Sequence, residues 1–108
     1  MPPAADRPIL SVFRRPSFLD DLTEAYAYLA ERNPTAADGL LDEVEAIVEL
    51  ISAFPELGRP REELRRTVRS FRVRRFRHII FYRHTHDGIV LLRILHGARD
   101  MGPELLDP

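Results

Sequence analysis

The chain has no cysteine, which excludes disulfide staples, thiolate nucleophiles and thiolate metal ligands and permits a reducing compartment. It has no lysine either, so all 16 cationic side chains are arginine. Each positive charge therefore sits on a planar fork that suits carboxylate or phosphate and stays charged when partly buried. No apolar run approaches the length of a membrane span, and the amino terminus "MPPAADRP" lacks the apolar core of a signal peptide. Glycine-rich phosphate loops, HExxH and paired Cys/His spacings are missing, and no serine or threonine stands in a nucleophile elbow. There is no internal repeat. What remains is 108 residues, 44% hydrophobic and 31% charged, enough to bury a core without staples. The expectation is a soluble, cytoplasmic protein with a flexible arm over residues 1–7 and a single domain over residues 8–108.

Charge is the feature present in excess, though the net value of −1 hides it. Residues 1–58 hold 4 arginines against 11 acids, net −7, and residues 59–108 hold 12 arginines against 6 acids, net +6. Within residues 59–83 the count is ten arginines against two acids. Single exposed arginines are usually just solvated. This density instead predicts one basic face that attracts a polyanion or an acidic protein surface.

Hydrophobic spacing sets the elements. "PILSVFRR" (Pro8–Arg15) is short, apolar and strand-like, and Pro16 ends it. Ser17 with Asp20 resembles a capping box that opens a helix over Phe18–Asn33. Phe18, Leu22, Ala25, Tyr26 and Leu29 share one face of it. After Asn33-Pro34, Thr35 with Asp38 repeats the capping signal. Leu40, Leu41, Val44, Ile47, Val48 and Ile51 then form a second stripe that Phe54-Pro55 closes. So short a link predicts antiparallel neighbouring helices.

A polar connector follows, with a helical turn expected at Arg61–Arg66, and then the period changes to two. Its phase slips across "RRFR", which places a tight turn or bulge near Arg74–Arg77. "HTHDG" predicts a hairpin with Asp-Gly in a primed turn. "IVLLRILH" (Ile89–His96) is apolar on both faces and predicts a strand covered on both sides. The order is β-α-α-β-β-β, an α+β fold with a helical hairpin packed on a small antiparallel sheet. Only two helices are available to cover that sheet, so one face is expected to await a partner unless a second copy or the terminal "MGPELLDP" covers it.

Few residues carry chemistry. His84 and His86 lie at a turn without a third ligand, so no metal site is expected. His96 at the end of a strand reads as a hydrogen-bonded structural residue, and Tyr82 as a core ring with its hydroxyl at the edge. Glu62 and Glu63 read as charges on the connector.

Three motifs in order resemble the ParE branch of the RelE/ParE superfamily of bacterial toxins. They are "FPELGRP" (Phe54–Pro60), the Arg77-x-Ile79-x-Phe81-Tyr82 strand, and the terminal "RILHGARD" (Arg93–Asp100). Together they span about residues 9–100. The resemblance implies a toxin that is not an enzyme, uses no cofactor, and stalls DNA gyrase. It implies neutralisation by a ParD-like antitoxin with a ribbon-helix-helix half and a wrapping tail, in a hetero-oligomer. Such a tail would add as a helix in a groove or as an edge strand, its acids meeting the arginines.

Arg72, Arg74, Arg75, Arg77, Arg93 and Arg99 are the contacts this reading selects. The other branch, ribosome-dependent mRNA interferases, would instead need a base, cations and an acid, for which Tyr82, His96, Arg74 and Arg93 are the candidates, with His84 a further acid–base candidate and Arg72 and Arg75 further cations. The lysines that serve many of those nucleases are missing here. Sequence-specific DNA binding is not expected, because both predicted helices are acidic.

Overall fold

A computed structural model describes residues 10–97 and 102–106, so the arm expected at residues 1–7 lies outside the described residues. The order is β1 (Val12–Arg14), α1 (Pro16–Arg32), α2 (Pro34–Ala53), β2 (Arg59–Pro60), β3 (Val68–Arg72), β4 (His78–Thr85), β5 (Gly88–His96) and a 3₁₀ turn at Pro103–Leu106. The strands form one sheet in the order β1-β5-β4-β3-β2. The sheet is mixed rather than antiparallel, because β1 runs parallel to β5 with Val12 opposite Ile89. β2 is a two-residue strand absent from the expected order.

The helices start where proline permits, with different caps from those expected. Pro16 does not end a strand; it opens α1, where its missing N–H costs nothing. Ser17 does not cap: its hydroxyl donates to Leu92 O at 2.9 Å. Asn33 caps α2 in place of Thr35, its side-chain oxygen accepting from Ala36 N at 3.1 Å. Asn33 is the only residue between the two helices. Phe18 and Ala25 of α1 and Leu40, Val44, Ile47, Val48 and Ile51 of α2 are buried against Val73, Ile80, Tyr82, Ile89, Leu91 and Ile94 of the sheet side. Leu41 falls off that stripe and is exposed.

The opposite face is not left open along its length. Phe81, Leu92 and Leu95 are buried there beneath Leu64 of the connector and Leu106 of the 3₁₀ turn. Leu106 O accepts from Arg15 and Leu105 O from Arg93, at 3.1 and 2.8 Å. The terminal segment, and not a partner, therefore closes part of the second face. A helical turn does form after Arg61, whose carbonyl accepts from Leu64 N and Arg65 N.

β5 carries apolar residues to both faces with the help of a bulge. Tyr82 pairs with Leu91 but Phe81 with Arg93, so Leu92 has no opposite residue. The slip returns Ile94 to the helix side and turns Arg93 toward α1. Beyond Leu91, where β1 stops, α1 side chains take the place of a strand. Ser17 satisfies Leu92 O, and Asp21 accepts from Ile94 N at 3.1 Å.

The β3–β4 turn lies where the phase slip predicts, closed by Val73 N to His78 O at 2.9 Å, with Arg75 at φ 69°. The β4–β5 turn has only His86 and Asp87 between paired Thr85 and Gly88, and neither has positive φ. It is therefore not the primed turn expected of Asp-Gly. Gly88, at φ 141°, begins β5 instead and lets Ser11 O come close enough to accept from Ile89 N.

Candidate partner-binding site

The end of the sheet where β4 begins and β5 finishes carries two grooves. One, of about 920 Å³, lies on the face away from the helices and is lined by Leu57, Arg59, Arg61, Arg72, Arg77, His78, Ile79 and His96, among others. The period of two explains its composition. Val68, Ser70 and Arg72 of β3 share that face with Ile79 and Phe81 of β4, and toward this end arginine replaces the apolar residue. Among the described residues no acid lines the groove itself.

The second groove, of about 800 Å³, runs between α1 and the β3–β4 turn. Asp21, Glu24, Tyr28 and Leu29 line one side, and Arg75, Phe76, Arg93 and Ile94 the other. Arg77, His78 and His96 belong to both.

The expected contact residues separate into groups. Arg72 and Arg77 are exposed and line the basic groove, and neither makes an ion pair or side-chain hydrogen bond among the described residues. Arg74 and Arg75 are exposed at the β3–β4 turn, Arg75 lying 3.8 Å from Glu43. Its left-handed backbone costs a non-glycine residue roughly 1 kcal/mol. Arg99 lies outside the described residues.

Arg93 is different. Its Nε and Nη2 reach both Asp21 oxygens at 2.6 and 2.8 Å, and its side chain is 18% exposed. The hydrogen bond to Asp21 pushes its pKa still higher. The guanidinium is thus committed to holding β5 against α1, and Arg93 belongs to the scaffold rather than to the contact set. The signal was in the sequence: a lone arginine inside "VLLRIL" needs a buried acid.

Tyr82 is also committed. It is fully buried, its hydroxyl donates to Pro55 O and accepts from Gly58 N, both at 2.8 Å, and burial raises its pKa. Arg69 adds bonds to Glu56 O and Gly58 O at 3.0 and 2.8 Å. The "FPELGRP" and Phe81-Tyr82 motifs are therefore two halves of one clip that ties the α2–β2 loop to the sheet. A buried, doubly bonded phenol has no access to a substrate, which removes Tyr82 from the nuclease candidates.

Arg59, Arg61 and His78 line the basic groove without having been singled out in the sequence. The "GRPR" connector carries the first two. Arg61 lies 5.5 Å over the Phe81 ring and binds Glu63 at 2.7 Å, which holds the Glu63 carboxyl below its usual range. His78 sits edge-on to His96 with ring centroids 5.6 Å apart, and its buried Nδ1 has no partner. His84 and His86 are exposed near the hairpin turn at the other end of β4. Among the described residues no group of three His, Asp or Glu could hold a metal.

Burial, with the neighbouring His96 second, lowers the His78 pKa below 6.5. The unfolded chain then takes up this proton before the folded one does. Stability is accordingly full above pH 6.5 and falls as pH drops below it. We expect the thermal midpoint to fall between pH 7.5 and 5.5, and His78→Gln to reduce that fall. An unchanged pH dependence in the variant would contradict the assignment.

Comparison with known proteins agrees with this architecture. A chain from a solved structure described as a chromosomal ParDE TA system from P. aeruginosa superimposes with a TM-score of 0.70. The match covers 82% of this chain and 96% of that one at 22% identity, and it defines the class as the fold of that system. Toxin ParE3 of Caulobacter vibrioides is 34% identical over 86 residues, 79% of this chain and 84% of the relative. The family model for the ParE toxin of the type II toxin–antitoxin system parDE matches residues 12–101. The chain belongs to the ParE toxin family. It is a toxin and not an enzyme, and its system supplies an antitoxin as partner.

Proposed function

We propose that this toxin acts in the cytoplasm by binding DNA gyrase, and that a ParD-like antitoxin neutralises it by tight association. That antitoxin would combine a ribbon-helix-helix half with a tail that wraps the toxin. The observation that carries the reading is the groove lined by Arg59, Arg61, Arg72 and Arg77, continuous at Arg77 with the exposed arginines of the β3–β4 turn. Arg72 and Arg77, exposed and without ion pairs among the described residues, and Arg75 on strained backbone suit docking to a charged surface. Family membership supports the same target. Against mRNA cleavage stands the buried Tyr82, whose hydroxyl is doubly bonded to the α2–β2 loop.

Purified toxin should inhibit plasmid supercoiling by gyrase. Arg74→Glu with Arg75→Glu should weaken that inhibition about tenfold or more, with an unchanged thermal midpoint. Intact supercoiling together with cleavage of ribosome-bound mRNA would sink the proposal.

A further inference from the structure

Three arginines of the open sheet face stand in a regular row. Arg59 of β2 lies opposite Ser70 of β3, and Arg72 is two residues further along β3 on the same face. Ile79 of β4 lies opposite Arg72, and Arg77 comes two residues before it. β2, β3 and β4 run antiparallel in turn, so both steps go one strand across and two residues along in the same direction. Diagonal neighbours of this kind lie about 7–8 Å apart. All three side chains are exposed and line the basic groove. Arg61 stands outside the row, because Glu63 already holds it at 2.7 Å. Past Arg77 the row ends, where Asp21 and Glu24 enter the wall of the second groove.

The helix layer behind the sheet has the opposite sign. Residues 16–53 hold nine acids against one arginine, net −8. Asp38, Asp42, Glu45 and Glu49 recur at helical spacing along α2, and all are exposed. A polyanion is thus attracted to one face and repelled from the other, which fixes how it approaches. A single strand would call for open aromatic faces on which to stack its bases. Here Phe81 is buried beneath Arg61, and Phe71 packs against the helix-side core. Evenly stepped cations without a stacking surface suit the outside of a duplex, where phosphates recur at a fixed interval along each strand.

We infer that the row of Arg59, Arg72 and Arg77 binds the phosphate backbone of duplex DNA without reading its sequence. The assignment rests on the gyrase reading above for where the duplex is met, because that enzyme brings DNA to the surface the toxin docks on. Each guanidinium takes a phosphate through its planar fork, and the acidic helix layer faces away from the DNA. Arg74 and Arg75, at the β3–β4 turn, are left for the enzyme itself.

The test titrates the full chain into a short fluorescent duplex of mixed sequence, from about 50 to about 200 mM salt. Three phosphate contacts predict a log–log slope of affinity against salt of about −3. Arg59→Gln, Arg72→Gln and Arg77→Gln should each weaken binding about tenfold and flatten the slope by about 1, whatever the duplex sequence. Arg32→Gln, at the end of α1 on the acidic layer, should change neither.

No binding at the lowest salt, an unchanged slope in Arg72→Gln, or tighter binding of the matching single strand would overturn the assignment. So would salt-sensitive self-association in sedimentation without DNA that Arg72→Gln abolishes, which would seat the acidic α2 of a second copy on the row. Supercoiling assays on the same preparations keep the two readings apart. Gyrase inhibition without duplex binding overturns the row alone, and duplex binding without gyrase inhibition overturns the target alone.

Discussion

Arg93→Ala should unfold the toxin rather than strip it of a contact. The substitution leaves Asp21, 12% exposed, with its charge uncompensated and takes two short bonds from the junction of β5 and α1. It also frees Leu105 O and so loosens the turn that covers the second face. Breaking a pair this buried costs about 3 kcal/mol. For a domain of this size that lowers Tm by on the order of 15 °C. Loss of toxicity in this variant would then follow loss of structure.

A double-mutant cycle separates the two causes. Asp21→Asn keeps an acceptor for Ile94 N and removes the stranded charge. Arg93→Ala with Asp21→Asn should therefore cost less than the two single changes added, by about 1–2 kcal/mol. Strict additivity in urea denaturation would show that Arg93 and Asp21 do not act as a pair.

The second large effect is expected at the clip between Tyr82 and the α2–β2 loop. Tyr82→Phe keeps the ring and deletes only the hydroxyl, which leaves Gly58 N–H and Pro55 C=O without partners. Two unsatisfied groups place the loss at roughly 3 kcal/mol. Gly58→Ala attacks the same contact from the other side. A Cβ there would lie 2.6 Å from the Tyr82 ring and 2.9 Å from Ser70 O, and backbone cannot yield as a flexible side chain does. Amide exchange at Gly58 should accelerate in Tyr82→Phe well before the core opens. Unchanged protection of that amide would show that the phenol does not hold the loop.

Much of the fold was legible because each element reports its own period. The stripes from Phe18 to Leu29 and from Leu40 to Ile51, the phase slip at Arg74–Arg77 and the two-faced β5 are local patterns, and the structure places an element at each. What was not legible is relational. Nothing in "SVFRR" encodes that Val12 runs parallel to Ile89, because side-chain alternation is the same in either direction. Capping failed for a related reason: Ser17 satisfies a carbonyl of β5, 75 residues away, before it can serve its own helix.

The site divides along the same line. Charge density pointed to the basic end of the sheet. Only the register separates Arg72, which lies on the open face, from Arg93, which the bulge turns into an ion pair. The family motifs proved as structural as they were diagnostic, since two of them meet at one hydroxyl.

The place of β5 at the heart of the sheet also sets when a toxin can exist during its own synthesis. The strand that joins β1 to β4, and on which α1 rests, is the last one made among the described residues, and Leu106 of the closing turn emerges later still. A nascent chain stopped before Gly88 has a first strand with nothing to pair with and a helical hairpin missing much of the surface it packs on. Long-range pairing of this kind waits for the end of the message. A chain cut short before Gly88 is therefore expected to stay unfolded, and so without toxicity.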